Sequence, residues 1–194
     1  MTNLRVRLVW QLNELFHPHP RLEEVGSDIL CCKFLTKEAV DMLLCCIEEQ
    51  GDWTSNHRDP DYFTQDLHLK QSLPDFYDIL VDYLHKEVYP LASEFWDIPE
   101  FVVKDFFAVR YTLDTQTSLK PHHDSSFITG SVKLNDDYEG ALLNFPRKKF
   151  TNKDIEVGDL LLWPGNITHR HECTPLLKGE KYSLTIWTEE CLEL

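Results

Sequence analysis

The amino-acid sequence predicts a single, mainly β domain over residues 1–194, with flanking helices and a core shaped as a sandwich or barrel-like roll. A chain of 194 residues is long enough to bury one substantial hydrophobic core. Apolar residues recur at helical spacing in the first half, and from Val102 the spacing changes to that of short strands. We therefore expect a helical N-terminal part over about residues 1–100 and a β core over about residues 101–190.

The first predicted helix has clear signals at both ends. Thr36 can cap its N-terminus with a side-chain oxygen, and the helix then covers Lys37–Gln50. Gly51 suits the left-handed conformation that ends many helices. Because the apolar side chains between these ends share one face, the pattern predicts an amphipathic helix.

A second helix is predicted after a polar loop. Ser72 is its expected N-cap, with Pro74 and Asp75 in the first turn. The apolar stripe of this helix ends just before Pro90. The polar and aromatic segment 52–66, which precedes the helix, is predicted to be a surface loop.

Short strands are predicted throughout the second half of the chain. Turn residues such as Gly158, Pro164 and Gly179 separate them. Short strands at this spacing, without internal repeats, favour a sandwich or barrel-like roll with helices on one side. The predicted strands cover residues 106–112, 127–134, 141–145, 160–163, 169–173 and 182–188.

Composition excludes several classes of partner. The chain carries 19 basic and 33 acidic residues, which gives a formal net charge of −14 at pH 7. Because phosphate backbones and anionic membranes attract Lys and Arg, we expect no nucleic-acid partner. No apolar stretch reaches the roughly 18 residues of a membrane-spanning helix, so no membrane insertion is expected. The acidity is compatible with a cationic substrate, and acidity also serves solubility alone.

Targeting and cysteine signals are weak. The N-terminal residues lack the sustained apolar core and small-residue cleavage site of a signal peptide. As written, the chain is expected to be cytoplasmic; as a domain excised from a longer secretory protein, it would lie in the endoplasmic reticulum lumen. Six cysteines, with Cys31-Cys32 and Cys45-Cys46 adjacent, fit free thiols better than a zinc site or a disulfide framework.

A candidate metal site begins at His122 and Asp124. These residues lie where a strand is expected to begin, and residues two apart in a strand point the same way and can reach one ion. The intervening His123 then points away, toward packing or a hydrogen bond. His169 and His171 share one face of a later predicted strand, and one of them is the candidate third ligand. Two imidazoles and one carboxylate on one side of a metal are typical of non-haem Fe(II) oxygenases.

Lys181 is a candidate binder of an acidic cosubstrate. It opens the last predicted strand and is followed by an apolar run that should enter the core. A buried cation needs an anionic partner, which the distal carboxylate of a dicarboxylic cosubstrate would supply. The alternative is the usual one for a lysine in a strand, a solvated position at the sheet edge.

Two further His-x-acid pairs are interpreted as chance matches. His57-Arg58-Asp59 imitates the catalytic loop of protein kinases, but the chain has no accompanying glycine-rich loop, strand lysine or Asp-Phe-Gly motif. His85 and Glu87 lie two apart on the second predicted helix. Since residues at that spacing on a helix face different directions, they cannot share a metal.

Six segments together carry a resemblance to a known family: Arg110-Tyr111, Ser118-Leu119-Lys120-Pro121-His122-His123-Asp124-Ser125-Ser126, Asp137-Tyr138-Glu139-Gly140, Pro164-Gly165, Thr168-His169-Arg170-His171-Glu172 and Gly179-Glu180-Lys181-Tyr182. From about residue 28 to residue 188, the chain resembles the Fe(II)/2-oxoglutarate-dependent catalytic domain of procollagen lysyl hydroxylases. It resembles prolyl 4-hydroxylases more loosely. The resemblance implies a double-stranded β-helix, or jelly roll, with flanking helices.

The resemblance implies a particular iron site. His122, Asp124 and His171 would hold Fe(II) and serve as the catalytic residues, and His169 would lie outside the ligand set. Fe(II), 2-oxoglutarate as cosubstrate, O₂ and ascorbate are the cofactors implied.

The resemblance also implies the cosubstrate pocket. Lys181 would pair with the distal carboxylate of 2-oxoglutarate, and Tyr111 would line the same pocket. Ser183 matches a broader dioxygenase pattern of a basic residue, one spacer and a serine. The lysyl hydroxylases have arginine where Lys181 stands, and lysine is a point charge rather than a bidentate fork. They also have a glycine run where this chain has Ala-Leu-Leu at 141–143.

The implied reaction is hydroxylation of a side chain, with a peptidyl lysine in a collagen-like polypeptide as the expected substrate. An acidic loop with Asp136, Asp137 and Glu139 would attract such a substrate if it borders the site. Monomer and homodimer both remain open. The alternatives are a hydroxylase of proline, another amino acid or a small molecule, and a non-catalytic jelly-roll binding module. A zinc hydrolase is also compatible with the histidines and aspartate, although Lys181 argues against it.

Overall fold

The computed structural model describes residues 12–55 and 63–191, and within them the chain is mainly β with flanking helices, as predicted. The strands form an eight-stranded sheet, a four-stranded sheet and a two-stranded ribbon. The kinase-like segment His57-Arg58-Asp59 and the N-terminal residues considered for a signal peptide lie outside the described residues.

The elements of the described residues follow the chain in this order. The helices are α1 (Leu12–Leu15), α2 (Lys37–Gln50), α3 (Leu69–Ser72), α4 (Pro74–Tyr83), a π-helical turn (Leu84–Val88), α5 (Tyr89–Trp96) and a 3-10 turn (Asn152–Asp154). The strands are β1 (Glu23–Gly26), β2 (Ile29–Lys33), β3 (Thr54–Ser55), β4 (Gln65–His68), β5 (Phe101–Tyr111), β6 (Leu119–His122), β7 (Ile128–Lys133), β8 (Glu139–Gly140), β9 (Leu143–Phe145), β10 (Phe150–Thr151), β11 (Asp159–Pro164), β12 (His171–Cys173), β13 (Leu176–Lys178) and β14 (Lys181–Glu190).

The two larger sheets are built from strands that are distant in the chain. The large sheet has the order β1-β2-β11-β7-β14-β5-β4-β3, and the small sheet has the order β10-β9-β12-β6. All the strand pairs described are antiparallel, and the chain crosses between the sheets, for example from β6 to β7 and from β11 to β12. This arrangement is a jelly roll, in which side chains of both sheets surround one cavity.

The alternation of side chains along β14 explains why one sheet can serve both a core and a cavity. Successive residues of a strand point to opposite faces. One set of side chains joins the apolar core beneath the helices: Tyr182, Leu184 and Ile186. The other set lines the cavity: Lys181, Ser183, Thr185 and Trp187.

Helix α2 forms as the sequence predicts. Its N-cap Thr36 accepts a hydrogen bond from the backbone N–H of Ala39, and Gly51 ends the helix in the left-handed conformation. The buried face of α2 contributes Leu43 and Ile47 to the core that covers the outer face of the large sheet. The helices therefore pack on one side of the β core, as expected.

The second helical region differs from the prediction. Ser72 ends the short helix α3 instead of capping the next one, and Leu73 precedes α4 without a side-chain cap. The helical path also continues beyond Pro90, through the π-helical turn and α5. Pro90 lies in the first turn of α5, the part of a helix that tolerates proline best.

The first hundred residues contribute four strands that the sequence pattern did not predict. β1 and β2 extend one edge of the large sheet, and β4 with β3 extends the other. The segment 52–66 is therefore not only a surface loop, because it contains β3 and the start of β4. β1, β3 and β4 are short and mostly polar, whereas β2 is buried on both faces, so none of the four shows a clear alternation of apolar residues.

Two expectations from composition concern the membrane and the cysteines. In the described part of the chain, no helix is both long and apolar enough to cross a membrane. The six cysteines are free thiols, and Cys31, Cys32 and Cys173 are buried. The interpretation of the adjacent cysteines as free thiols is confirmed.

Candidate active site

A cavity of about 730 Å³ lies between the two larger sheets. Its wall on the large sheet includes the cavity-facing residues of β14, β5 and β7, and its opposite wall comes from β6, β9 and β12. The sequence-predicted residues His122, Asp124, His171, Lys181, Tyr111 and Ser183 all line this cavity. The structure thus brings together side chains that are up to some seventy residues apart in the chain.

His122, Asp124 and His171 converge on one point of the cavity. Their candidate ligand atoms all lie within 4.8 Å of one another. Nε2 of His122 lies 3.5 Å from Oδ1 of Asp124, and Nε2 of His171 lies 3.5 Å from Oδ2. His122 and His171 are cross-strand partners in β6 and β12, with ring centroids 4.4 Å apart.

Backbone contacts hold both imidazoles in the tautomer that metal binding requires. Nδ1 of His122 lies 2.8 Å from the carbonyl oxygen of Lys120, and Nδ1 of His171 lies 3.0 Å from that of His169. Because a carbonyl oxygen only accepts hydrogen bonds, Nδ1 is the protonated nitrogen in each ring. In the neutral rings the lone pair is then on Nε2, which faces Asp124, and neutral imidazole is the form that binds a metal.

Electrostatics keep the three groups ready to bind a cation. Burial raises the pKa of Asp124, but hydrogen bonding and charge from His122, with help from His171 and Thr129, hold that pKa below its usual value. Burial lowers the pKa of His171, so this ring is neutral at neutral pH. Burial also lowers the pKa of His122, but the neighbouring Asp124 carboxylate outweighs it and raises the pKa.

The position of Asp124 depends on a tight turn after β11. Asp124 lies beyond the end of β6, so the expectation that a strand begins at His122 was wrong: the strand ends there. The backbone N–H of Asp124 donates to the carbonyl of Gly165 at 3.1 Å, and Thr129 donates to Oδ2 at 2.8 Å. A Cβ added at Gly165 would come within 2.5 Å of Oγ1 of Thr129 and 2.7 Å of the Ser126 carbonyl, so only glycine fits.

Lys181 is a buried cation in the wall of the same cavity, with only 5% of its surface exposed. Its Nζ donates to the carbonyl of Ala141 at 2.8 Å and lies 5.1 Å from the ring centroid of Tyr111. Among the described residues, no carboxylate forms an ion pair with Lys181. The anionic partner that a buried ammonium requires is therefore open to a ligand.

Tyr111 and Ser183 flank Lys181 on the cavity-facing side of the sheet. Tyr111 is the cross-strand partner of Lys181 in β5, and Ser183 follows two residues later on the same face of β14. Burial is the main reason that the pKa of Tyr111 lies above its usual value, so its hydroxyl stays protonated. These neighbours offer neutral hydrogen-bonding groups beside the ammonium.

The positions of His169, His123 and the acidic loop relative to the cavity were also predicted from the sequence. His169 is buried outside the cavity lining, with its ring nitrogens 2.8 Å from Oγ1 of Thr168 and 3.0 Å from the carbonyl of Ser27. His123, expected to point away, is exposed and lines the cavity. The acidic residues Asp136, Asp137 and Glu139 are not part of the cavity lining.

Sequence reasoning missed two residues of the cavity wall. Thr129, on β7, donates to Asp124, and nothing in its local sequence marks that role. Asp66, on β4, lies in the segment interpreted as a surface loop, although it is buried and lines the cavity. The local sequence of this strand, Gln65–His68, has no clear alternation of apolar residues, so only the pairing with β5 reveals it.

Comparison with solved structures defines the class of the fold. The viral collagen prolyl hydroxylase of Paramecium bursaria Chlorella virus-1 aligns with a TM-score of 0.62 and 18% identity, over 86% of this chain and 97% of that chain. A Pseudomonas putida prolyl-4-hydroxylase aligns with a TM-score of 0.60 and 15% identity, over 80% of this chain and 86% of that chain. The fold is therefore the jelly roll of the 2-oxoglutarate/Fe(II) oxygenases.

Comparison with curated sequences gives the nearer relationship. The rat multifunctional procollagen lysine hydroxylase and glycosyltransferase LH3 is 31% identical over 183 residues, covering 87% of this chain and 24% of that protein. The mouse procollagen-lysine,2-oxoglutarate 5-dioxygenase 1 is 31% identical over 174 residues, covering 83% and 24%. The chain spans about a quarter of the length of these relatives, and no family model matches it. In sequence the chain is similar to procollagen lysyl hydroxylases, as the resemblance predicted, and in fold it is similar to the two prolyl hydroxylases.

Proposed function

We propose that this chain is an Fe(II)- and 2-oxoglutarate-dependent dioxygenase that hydroxylates the side chain of a peptidyl lysine. The observation that carries the proposal is the content of one cavity. It holds a cluster of two imidazole nitrogens and one carboxylate, together with a buried ammonium that lacks a carboxylate partner among the described residues.

In this proposal, His122, Asp124 and His171 are the metal ligands. The donor set suits Fe(II), because two imidazoles and one carboxylate leave other coordination positions open. The donors are also prearranged, since carbonyl groups fix both rings and Thr129 and Gly165 fix Asp124. The same donors would bind Mn(II), which serves as a redox-inactive probe.

Lys181 would receive the distal carboxylate of 2-oxoglutarate. The ammonium is held by the carbonyl of Ala141, and Tyr111 and Ser183 stand beside it with neutral hydroxyl groups. A charged hydrogen bond in this buried wall would bind a dicarboxylic acid more tightly than a monocarboxylic one. Lysine supplies one point charge where arginine would supply two parallel donors, so the contact is expected to be monodentate.

With Fe(II) bound, the reaction of 2-oxoglutarate with O₂ supplies the oxidation that places one oxygen atom in a substrate C–H bond and yields succinate and CO₂. The chain's own residues bind and orient the reactants. Asp124 remains ionised and His171 remains neutral, so these two ligands are already in the protonation state that binds a metal. Phe107, Val109 and Trp187 give the cavity wall an apolar surface.

The assignment of peptidyl lysine rests on the names of the sequence relatives, which are lysine hydroxylases at about 30% identity. The structural relatives named above are prolyl hydroxylases, which makes proline the chief alternative. Collagen-like peptides with Gly-X-Y repeats are the natural first substrates for either reaction.

Peptide specificity tests the lysine assignment. We expect lysine-containing collagen-like peptides to stimulate succinate release by the Fe(II)-loaded chain and to gain one oxygen atom on the lysine. Proline-only peptides of the same length should do neither. Succinate assays and fragment-ion mass spectrometry measure the two outcomes. Oxygen addition only on proline would replace lysine by proline in the proposed function.

Substitution of Gly165 tests the support of Asp124. We expect Gly165→Ala to lower the free energy of unfolding by about 1–3 kcal/mol and to weaken Mn(II) binding, because the added methyl group overlaps Thr129 and the Ser126 carbonyl. Urea denaturation and Mn(II) titration measure these effects. Gly51→Ala is the control for Mn(II) binding: its left-handed backbone makes alanine unfavourable for stability too, but its added Cβ meets no atom closer than 3.8 Å and lies at the end of α2. Equal Mn(II) affinity of Gly165→Ala and the unaltered chain would contradict the proposed support.

A further inference from the structure

Asp66 occupies the cavity wall beyond Lys181 and is used by no contact that the proposed iron site or cosubstrate site requires. It lies on β4 opposite Val109 of β5, and Val109 lies opposite Ser183 of β14. Paired residues of antiparallel strands point to the same face of a sheet, and these three side chains all line the cavity. Asp66 therefore belongs to the same wall as the proposed cosubstrate site, two strands away from Ser183.

The carboxylate of Asp66 is buried but only half satisfied. The residue is 5% exposed, and Oγ1 of Thr64 donates to Oδ2 at 2.9 Å. Oδ1 is closed to solvent and receives no hydrogen bond within the described part of the chain. Burial raises the pKa of Asp66 to about 6, so the group is still mostly ionised at neutral pH. A buried carboxylate with one hydroxyl donor is unfavourable unless a cation joins it.

The charged residues nearby do not supply that cation. The basic residue that contributes to lowering the pKa of Asp66 is His68, whose Nδ1 lies 3.1 Å from Oδ1 of Asp105. Lys181 donates to the Ala141 carbonyl, and no lysine or arginine of the described residues forms an ion pair with Asp66. A rotation of the carboxylate that turns Oδ1 toward the cavity would let a ligand with cationic N–H groups replace an unfavourable burial by an ion pair.

We propose that Asp66 is the specificity-determining residue of the site and receives the side-chain ammonium of the peptidyl lysine. The inference rests on the proposed dioxygenase function and assigns the recognition of its substrate to one residue. The cavity suits a lysine side chain as a whole, since Phe107, Val109 and Trp187 offer apolar surface to the methylene groups and Asp66 offers a buried anion to their end.

Recognition by Asp66 differs from attraction by the acidic loop. Asp136 is exposed and outside the cavity lining, so it would act only on the approach of a cationic peptide, and salt would screen it. Asp66 would bind the ammonium after desolvation, where the contact distinguishes an amine from a methyl group of similar size. Replacing the lysine of the peptide by an uncharged residue of similar size should therefore reduce binding through Asp66 more than attraction by the acidic loop.

A double-mutant cycle on binding isolates the contact between Asp66 and the ammonium. The affinities of one collagen-like peptide with lysine, and of the same peptide with norleucine, are measured without O₂ on the full chain loaded with Mn(II) and 2-oxoglutarate. We expect the unaltered chain to prefer lysine roughly 10- to 100-fold and Asp66→Asn to lose most of that preference. Because the asparagine is nearly isosteric, a general disturbance of the cavity would weaken both peptides together and leave their ratio unchanged. An unchanged ratio overturns the proposal.

Asp136→Asn is the matched control, since it removes the same charge from an exposed acid. Its lysine-to-norleucine ratio should equal that of the unaltered chain at moderate salt. The melting temperature supplies a second readout. Asp66→Asn should melt at or above the temperature of the unaltered chain without peptide, because it removes an unpaired buried charge. A lower melting temperature together with an unchanged ratio would make Asp66 a structural residue and refute its role in recognition.

A second variant keeps the test decisive if Asp66→Asn does not fold. Asp66→Glu moves the carboxylate one methylene further into the cavity, so we expect its preference to shift from lysine toward ornithine, whose side chain is one methylene shorter. A structural role for Asp66 predicts no such exchange between chain lengths. A Glu variant that ranks the two peptides as the unaltered chain does contradicts the proposal.

The outcomes separate this inference from the proposed function. Failure of the unaltered chain to bind Mn(II) with 2-oxoglutarate, or to form succinate with Fe(II), would refute the dioxygenase function itself. Normal cosubstrate turnover combined with equal binding of lysine and norleucine peptides would refute only the assignment of Asp66.

Discussion

Asp124→Ala is expected to abolish iron-dependent succinate formation. Loss of a group that merely orients a metal ligand commonly costs 10- to 100-fold, so loss of the ligand itself should cost about a thousandfold or more. The effect is large because Asp124 is the one carboxylate of the cluster and faces both Nε2 atoms at 3.5 Å. Without it, two histidines remain, and their neighbouring positive charges would repel each other when protonated.

The measurement pairs turnover with binding. Succinate release is followed with saturating Fe(II), 2-oxoglutarate and ascorbate, and Mn(II) protection against thermal unfolding is recorded for the same samples. Asp154→Ala, at an exposed position of the 3-10 turn, is the control for removal of an acid elsewhere on the chain. Succinate release by Asp124→Ala at the rate of the unaltered chain would refute the ligand assignment.

The parts of the fold that the sequence predicts are those with local signals. Thr36 and Gly51 mark the ends of α2 by capping chemistry that depends on neighbours in the chain. β14 is recognisable because its apolar residues alternate with residues that face the cavity. In both elements, local preference and tertiary burial point to the same structure.

The parts that escape prediction depend on distant contacts. β2 is buried on both faces and is paired with β11, more than a hundred residues later, so its Cys31-Cys32 pair gives no alternating pattern. The helix continues beyond Pro90 because a π-helical turn, Leu84–Val88, lies between α4 and α5, so that Pro90 falls in the first turn of α5. Neither pairing partners nor a turn of this kind can be read from a window of local sequence.

The candidate site shows the same division. Residue chemistry identifies His122, Asp124 and Lys181, but the choice of His171 over His169 came from resemblance. The structure supplies the physical reason, because the register of β12 against β6 places His171 opposite His122. Asp124 lies outside a strand, and a hydrogen bond from its backbone N–H to the carbonyl of Gly165 helps to hold it beside the two histidines. That hydrogen bond joins two turns that are distant in the chain.

Lys181→Met is expected to raise the KM for 2-oxoglutarate by roughly 100-fold or more, since breaking a buried ion pair commonly costs about 3–5 kcal/mol. Methionine keeps most of the length and removes the charge that would meet the distal carboxylate. Lys181→Arg keeps the charge, so its KM should lie between those of the unaltered chain and the methionine variant. Succinate assays at a series of 2-oxoglutarate concentrations measure the values.

The same substitution is expected to weaken cosubstrate binding without lowering the stability of the free chain, and this combination makes the test specific. Without cosubstrate, Lys181 is a buried cation that donates to the carbonyl of Ala141 and to Sγ of Cys173 but has no carboxylate partner among the described residues, so its replacement by methionine should leave the melting temperature unchanged or raise it. Addition of 2-oxoglutarate with Mn(II) should then stabilise the unaltered chain much more than the variant. A monocarboxylic 2-oxo acid, which has no distal carboxylate, should stabilise both chains equally. If 2-oxoglutarate protected Lys181→Met as strongly as the unaltered chain, the ammonium would have no part in cosubstrate binding.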